Sequence, residues 1–209
     1  MSDKYVAASS EAWEPGSSDQ VLKNHLGITS VDEIEKLEAE ALYQAELKAI
    51  EHFDVDHQFT EEDVCWLHQV WLERIYSFAG KYRSVNISKD NFIFASANLI
   101  PTLMPTYSQD YLKLYTPCNN MNRSELITAL AIIHIELVLI HPFREGNGRL
   151  ARLLATLMVL QAGFPPLDFD IIDQLNNPNG FVRYIKGIHA GVKQDYRPME
   201  EIFAEILGD

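Results

Sequence analysis

Four side chains able to do chemistry, His141, Glu145, Arg149 and Arg152, stand within the twelve-residue run His141-Pro142-Phe143-Arg144-Glu145-Gly146-Asn147-Gly148-Arg149-Leu150-Ala151-Arg152. The histidine can take up a proton, and the carboxylate four residues later can hold a hard cation. The Gly146-Asn147-Gly148 turn can present backbone N–H groups to phosphate oxygens, both glycines permitting left-handed backbone angles. Arg149 and Arg152, three apart, fall on one face of a helix and can reach the same anion, with planar forks that match phosphate geometry. The set suits a nucleoside triphosphate with its magnesium ion, together with a base for an attacking hydroxyl.

The flanking sequence says how these groups are positioned. From Ser124 to Ile140 the chain is apolar almost all round, which predicts a buried helix with Ser124 as its cap. Pro142 stops that helix, because a residue before proline is pushed out of the α region. A second helix is predicted from Arg149 to Gln161, closed by Ala162-Gly163 and Pro165-Pro166. The segment between the two is a short loop feeding a helix N-terminus, where unpaired N–H groups and the positive dipole end attract anions.

The run HPFREGNGRLAR resembles the signature of the Fic family, HPFx[D/E]GN[G/K]RxxR, at every defined position. The likeness extends upstream through Phe78-Ala79-Gly80-Lys81-Tyr82-Arg83 and on through Phe92-Ile93-Phe94-Ala95, similar to the family's hairpin flap. It covers roughly residues 20 to 207, the last part, from Tyr184 to Phe203, being similar to the family's closing helices. It implies an all-α Fic/Fido helical core with one small β-hairpin, and a protein adenylyltransferase that moves AMP from ATP onto a Tyr, Ser or Thr hydroxyl, releasing pyrophosphate. His141 would then be the general base and Glu145 the ligand of Mg²⁺ (or Mn²⁺). The N–H groups of Gly146, Asn147 and Gly148, with the Asn147 side chain, would hold phosphate oxygens. Arg149 would meet the β-phosphate and Arg152 the γ-phosphate, while Phe143 anchors the loop on the core. Position 148 is glycine; the lysine form is similar to Doc-type enzymes, which transfer the γ-phosphate. A related enzyme moving another nucleotide or a phosphate, or removing AMP, is the alternative, and a non-enzymatic module is disfavoured because scaffolding needs none of the four charged or titratable groups.

Other positions carry less. Arg144 fills the motif's unspecified position, either adding positive potential near the nucleotide or standing in solvent. Val85, Ile87, Ile93 and Phe94 form short β-favouring runs around Ser88-Lys89-Asp90-Asn91, a turn composition. The resemblance implies that this flap adds a strand of the target protein, with Lys89 and Phe94 nearest target or nucleotide. Tyr184 and Gly187 could border the adenine, core packing being the plainer role for Tyr184. His134 is read as a core histidine, since its spacing to His141 is not that of a zinc motif. His25, His52, His57, His68 and His189 are read as surface residues.

The chain has 209 residues, 47% of them hydrophobic, enough for one core and with no linker to divide it. Residues 1–18 read as a flexible N-terminal arm, and 19–209 as a single domain. The net charge of −13 repels nucleic acid, so three arginines at 144, 149 and 152 suit a small polyanion instead of a polymer. No apolar run is long enough to span a membrane, and the N-terminus has no signal-peptide pattern, so a cytoplasmic, bacterial protein with Cys65 and Cys118 as free thiols is expected. Helices are predicted near 31–52, 60–78, 103–116, 123–140, 149–162, 170–176, 178–192 and 197–207.

Many Fic proteins are held off by a helix bearing [S/T]xxxE[G/N], whose glutamate pairs with the arginine equivalent to Arg152. Here no Ser or Thr follows Thr156, and the N-terminal near match, Thr29 to Ile34, has Ile34 where Gly or Asn should stand. Ser30 and Glu33 read better as a capping box. The resemblance therefore implies that inhibition comes in trans, from a small antitoxin-like protein, and that the isolated chain is active.

Overall fold

A computed structural model describes residues 13–89 and 92–208. Its elements are α1 (Val31–His52), α2 (Glu61–Leu72), β1 (Ser88–Lys89), β2 (Phe92–Ile93), α3 (Ile100–Tyr107), α4 (Lys113–Tyr115), α5 (Arg123–Ile140), α6 (Asn147–Gln161), α7 (Pro178–Gly191) and α8 (Arg197–Ile206). A π turn over Ser108–Leu112 joins α3 to α4. The architecture is all-α with one two-stranded antiparallel hairpin, as the resemblance implies.

α5 is the central element because nearly all of it is apolar. Leu126 through Ile135, save Thr128, are buried, and α3, α6, α7 and α8 pack around it. Its cap is Asn122, two residues before Ser124: Asn122 Oδ1 accepts from the Ser124 and Glu125 N–H groups, and Glu125 accepts the Asn122 N–H in return. Asn122 has an acidic residue three positions on, which completes the reciprocal cap, whereas Ser124 has Ile127 there. α1 and α2 lie against α6 and against each other. Among the described residues no helix is long and apolar enough to cross a membrane.

The hairpin is shorter than the sequence suggests. Ser88 pairs with Ile93 and Lys89 with Phe92, so Ser88 and Lys89 are strand and only residues 90–91 connect the strands. The Asp90-Asn91 part of the turn lies outside the described residues. Helices predicted as 60–78 and 170–176 are shorter too. α2 ends at Leu72, and Phe169–Ile172 is a single 3₁₀ turn.

Of the arm expected over residues 1–18, residues 13–18 are held. Trp13 bridges to Leu22, the Glu14 N–H donates to the Val21 carbonyl at 2.8 Å, and Ser17 is buried. Residues 1–12 lie outside the described residues.

Candidate active site

The loop between α5 and α6 is held from several sides. His141 ends α5 in the left-handed region (φ 53°), where proline alone would have favoured extended backbone. A non-glycine residue there costs about 1–3 kcal/mol and persists only when its surroundings over-determine it. Here Arg83, itself buried, donates from Nε to the His141 carbonyl at 2.7 Å, and its backbone N–H donates to the Pro142 carbonyl at 2.9 Å. The same guanidinium donates to the Val85 and Ala95 carbonyls at either foot of the hairpin. One arginine thus ties the flap to the end of α5.

Phe143 is fully buried and stacks on His68 at 3.9 Å between ring centroids. His68, predicted on the surface, is instead wholly buried: its Nδ1 accepts the Gly80 N–H at 2.8 Å. Nε2 must then carry the proton, which it donates to the Glu145 carbonyl at 3.1 Å. Asn147 is buried as well. Its Oδ1 accepts the Phe143 N–H at 2.8 Å and its Nδ2 donates to the Phe143 carbonyl at 2.9 Å. That amide closes the loop on Phe143, where the resemblance implies a contact with phosphate oxygens.

Gly146 takes the left-handed angle the turn requires (φ 81°), and a Cβ there would lie 2.6 Å from Trp71 Cζ3. Gly148 does not: it is helical in α6, and a Cβ on it would meet nothing within 4 Å. Only Gly146 needs positive φ; Gly148 keeps the approach to the helix end open.

A cavity of about 230 Å³ lies over this helix end. It brings together nearly all the predicted site residues: His141, Glu145, Gly146, Asn147, Gly148, Arg149 and Arg152 from the motif, Lys89 and Phe94 from the flap, and Tyr184 from α7. Arg144 is not among them. It is buried with its guanidinium 6.0 Å from the Trp13 ring centroid, so it is neither solvated nor at the cavity. Gly187 faces α8 instead, where a Cβ would come within 3.3 Å of Met199 Cε. The apolar wall that sequence reasoning missed is Phe181, Ile185 and Ile188, which with Tyr184 occur at i, i+3, i+4 and i+7 along α7. That spacing is a helical stripe and was readable.

His141 does not keep the proton affinity of a free histidine. Its side chain stacks under Phe94 (3.7 Å between centroids), and burial pushes its pKa down to about 3, aided by the nearby Arg83 and Lys89 charges. Its Nδ1 lies 3.0 Å from the Val138 carbonyl, an acceptor, so Nδ1 carries the proton and the lone pair sits on Nε2. The ring is neutral and in a base-competent tautomer at pH 7. Glu145 accepts the Gly146 N–H at Oε1, which also lies 3.4 Å from Arg149; among the described residues no hydrogen bond reaches Oε2.

His68 and His134 are also buried, and burial lowers them to about 4 and 3. A histidine buried neutral binds its proton more readily when unfolded, near pH 6.5. Its stabilising contribution is therefore complete above pH 6.5 and is lost as pH falls from there towards 4. Each such group removes about 1.4 kcal/mol per pH unit within that window. Thermal melts followed by circular dichroism should show Tm falling steadily from pH 7 to pH 5; a flat Tm over that range would mean these rings protonate in the folded state.

Residues 58–159 match the model of the Fic/DOC family. The chain is 28% identical over 179 residues to the protein adenylyltransferase VbhT of Bartonella schoenbuchensis, across 82% of this chain and 35% of that protein. It is 37% identical over 79 residues to the protein adenylyltransferase fic-1 of Caenorhabditis elegans, across 38% of this chain and 14% of the relative. The chain thus spans about a third or less of the length of these curated relatives. Its fold is similar to BepC, a translocated effector protein of Bartonella tribocorum solved with bound AMPPNP, with a TM-score of 0.70 at 18% identity over 90% of this chain and 92% of that one. The motif loop, its supporting arginine and the hairpin all lie within residues 58–159, the stretch that matches the Fic/DOC family.

Proposed function

We propose that this domain is a protein adenylyltransferase: it transfers AMP from ATP to a hydroxyl of a protein. The observation that carries the reading is the placement of a neutral, base-tautomer His141 on the same cavity as the α6 N-terminus and two arginines. The curated relatives named as protein adenylyltransferases support it.

In this reading the phosphates lie on the N–H groups that open α6, with Arg149 on the β-phosphate and Arg152 on the γ-phosphate. Phe181, Ile185 and Ile188 offer the base an apolar wall. Glu145, with no hydrogen bond reaching Oε2 among the described residues, would hold Mg²⁺, and the ion would supply positive charge to offset that of the phosphates. The acceptor hydroxyl loses its proton to His141 Nε2 as its oxygen bonds to the α-phosphorus. The bond from that phosphorus to the bridging oxygen breaks, and pyrophosphate leaves. Burial makes the free histidine a weak base, but the phosphates place negative charge beside the ring and raise its proton affinity. The target segment is assigned to the flap, where Ile93 is exposed and Phe92 stacks on His189 at 4.7 Å.

Inhibition in trans fits the surroundings of Arg152. Among the described residues Arg152 makes no ion pair, and it borders a groove of about 310 Å³ with Leu42, Glu46, Leu153, Thr156 and Phe169. A helix supplying a glutamate could lie there. Glu33, the near match in cis, is exposed in the first turn of α1, where Ser30 Oγ accepts its N–H.

The experiment is to incubate the chain with ATP labelled at the α- or the γ-phosphate, using its own tyrosines as acceptor. The α-label is expected to stay with protein while the γ-label leaves as pyrophosphate. Retention of the γ-label would support phosphate transfer instead.

A further inference from the structure

We propose that Glu38 is a positioning residue for Arg149, held in register by Tyr76 and Trp71 so that one edge of the guanidinium always faces the phosphate site. This rests on the reading of the cavity as an ATP site. Glu38 stands in the third turn of α1, only 3% exposed, and neither the motif nor the helix period draws attention to it. Both carboxylate oxygens are used. Oε2 is 2.8 Å from Arg149 NH2, and Oε1 accepts the Tyr76 hydroxyl. Trp71 Nε1 donates to the Glu38 backbone carbonyl at 2.8 Å, fixing that turn of α1. The same indole lies 4.8 Å from the Arg149 guanidinium and forms the wall behind Gly146.

The outcome is a directed arginine. Among the described residues, every polar contact of Arg149 runs through NH2, to Glu38 and Glu145, leaving Nε and NH1 for an anion. Burial alone would favour the uncharged guanidine, but the Glu38 and Glu145 carboxylates outweigh it and raise the Arg149 pKa. Burying a carboxylate is costly, and replacing such pairs by apolar groups often stabilises a fold. A pair kept in this position is better explained by geometry: a guanidinium already pointed at the phosphate loses less freedom when ATP binds. Arg152, one turn further along α6, has no such clamp and lies 5.8 Å from the Phe169 ring centroid.

The test is calorimetric binding of ATP, ADP and AMP to wild type, Glu38→Gln and Tyr76→Phe, each in the Arg149 and the Arg149→Ala background. Glu38→Gln is expected to weaken ATP and ADP about tenfold or more, because a misaimed group loses its contact, while AMP, lacking the β-phosphate, changes less than about twofold. The loss should vanish once Arg149 is alanine. Equal losses for all three nucleotides, or a loss that persists without Arg149, would make Glu38 mere scaffold. Tighter ATP binding would make it an inhibitor competing with phosphate for the arginine. Should Glu38→Gln fail to fold, Tyr76→Phe keeps the charge and carries the test by the same nucleotide pattern. Failure of wild type to bind ATP would instead overturn the ATP reading itself.

Discussion

His141→Ala is expected to abolish AMP transfer while ATP binds nearly as well as to wild type. The imidazole lines the cavity, and in the proposed reaction it meets the acceptor hydroxyl, so its work would be done in the transition state and little of it in the ground state. A positioned base contributes about 10²–10⁴-fold, and the loss should fall in kcat. Arg83 holds this end of α5 through the backbone carbonyls of His141 and Pro142, which the alanine variant keeps, so that variant should fold. Removing a histidine held down to about pKa 3 also removes one source of acid sensitivity, and the variant should lose less Tm than wild type between pH 7 and pH 5. Self-labelling rates and ATP calorimetry on both proteins check this. Transfer within a few-fold of wild type would show that another group takes the proton.

Gly146→Val is expected to destroy the phosphate site outright. Gly146 holds φ 81°, which costs an L-residue about 1–2 kcal/mol, and a β-branched side chain more. The larger obstacle is Trp71, whose ring carbons would stand 2.6 and 2.7 Å from the new Cβ. That indole cannot step back, since it is buried and its Nε1 is bonded to the Glu38 carbonyl. The loop must move instead, and with it the first N–H groups of α6 and the aim of Arg149. Both ATP affinity and Tm should drop sharply. Gly148→Ala is the matched control: it is helical with open space at Cβ, and alanine in a helix gains about 0.5–1 kcal/mol over glycine. Its Tm should hold or rise. A Gly146→Val protein that binds ATP like wild type would contradict the geometry of the loop.

The chemistry-bearing residues were readable because they sit together in the chain. His141, Glu145, Arg149 and Arg152 bracket one helix start, and the apolar run before them could only be a buried helix. The supports were hidden because they come from far away. Glu38, His68, Trp71 and Arg83 lie 58 to 111 residues before the groups they hold (the Arg83–His141 and Glu38–Arg149 spacings), and nothing in local periodicity marks a buried polar residue as a partner. Side-chain commitment was equally invisible. Asn147 reads as a phosphate ligand from its place in the turn, yet its amide closes the loop on Phe143. Arg144 reads as an addition to the anion site, yet it lies under Trp13. The tautomer and depressed proton affinity of His141 follow from its burial under the flap, which depends on contacts the hairpin makes across the fold.

The most direct measurement is tandem mass spectrometry of the wild-type chain and of His141→Ala after incubation with ATP and Mg²⁺. Transfer of AMP with His141 as base predicts an AMP ester on a side-chain hydroxyl, tyrosine first, in wild type and none in the variant. A phosphate on that hydroxyl, or equal AMP in both proteins, would contradict it.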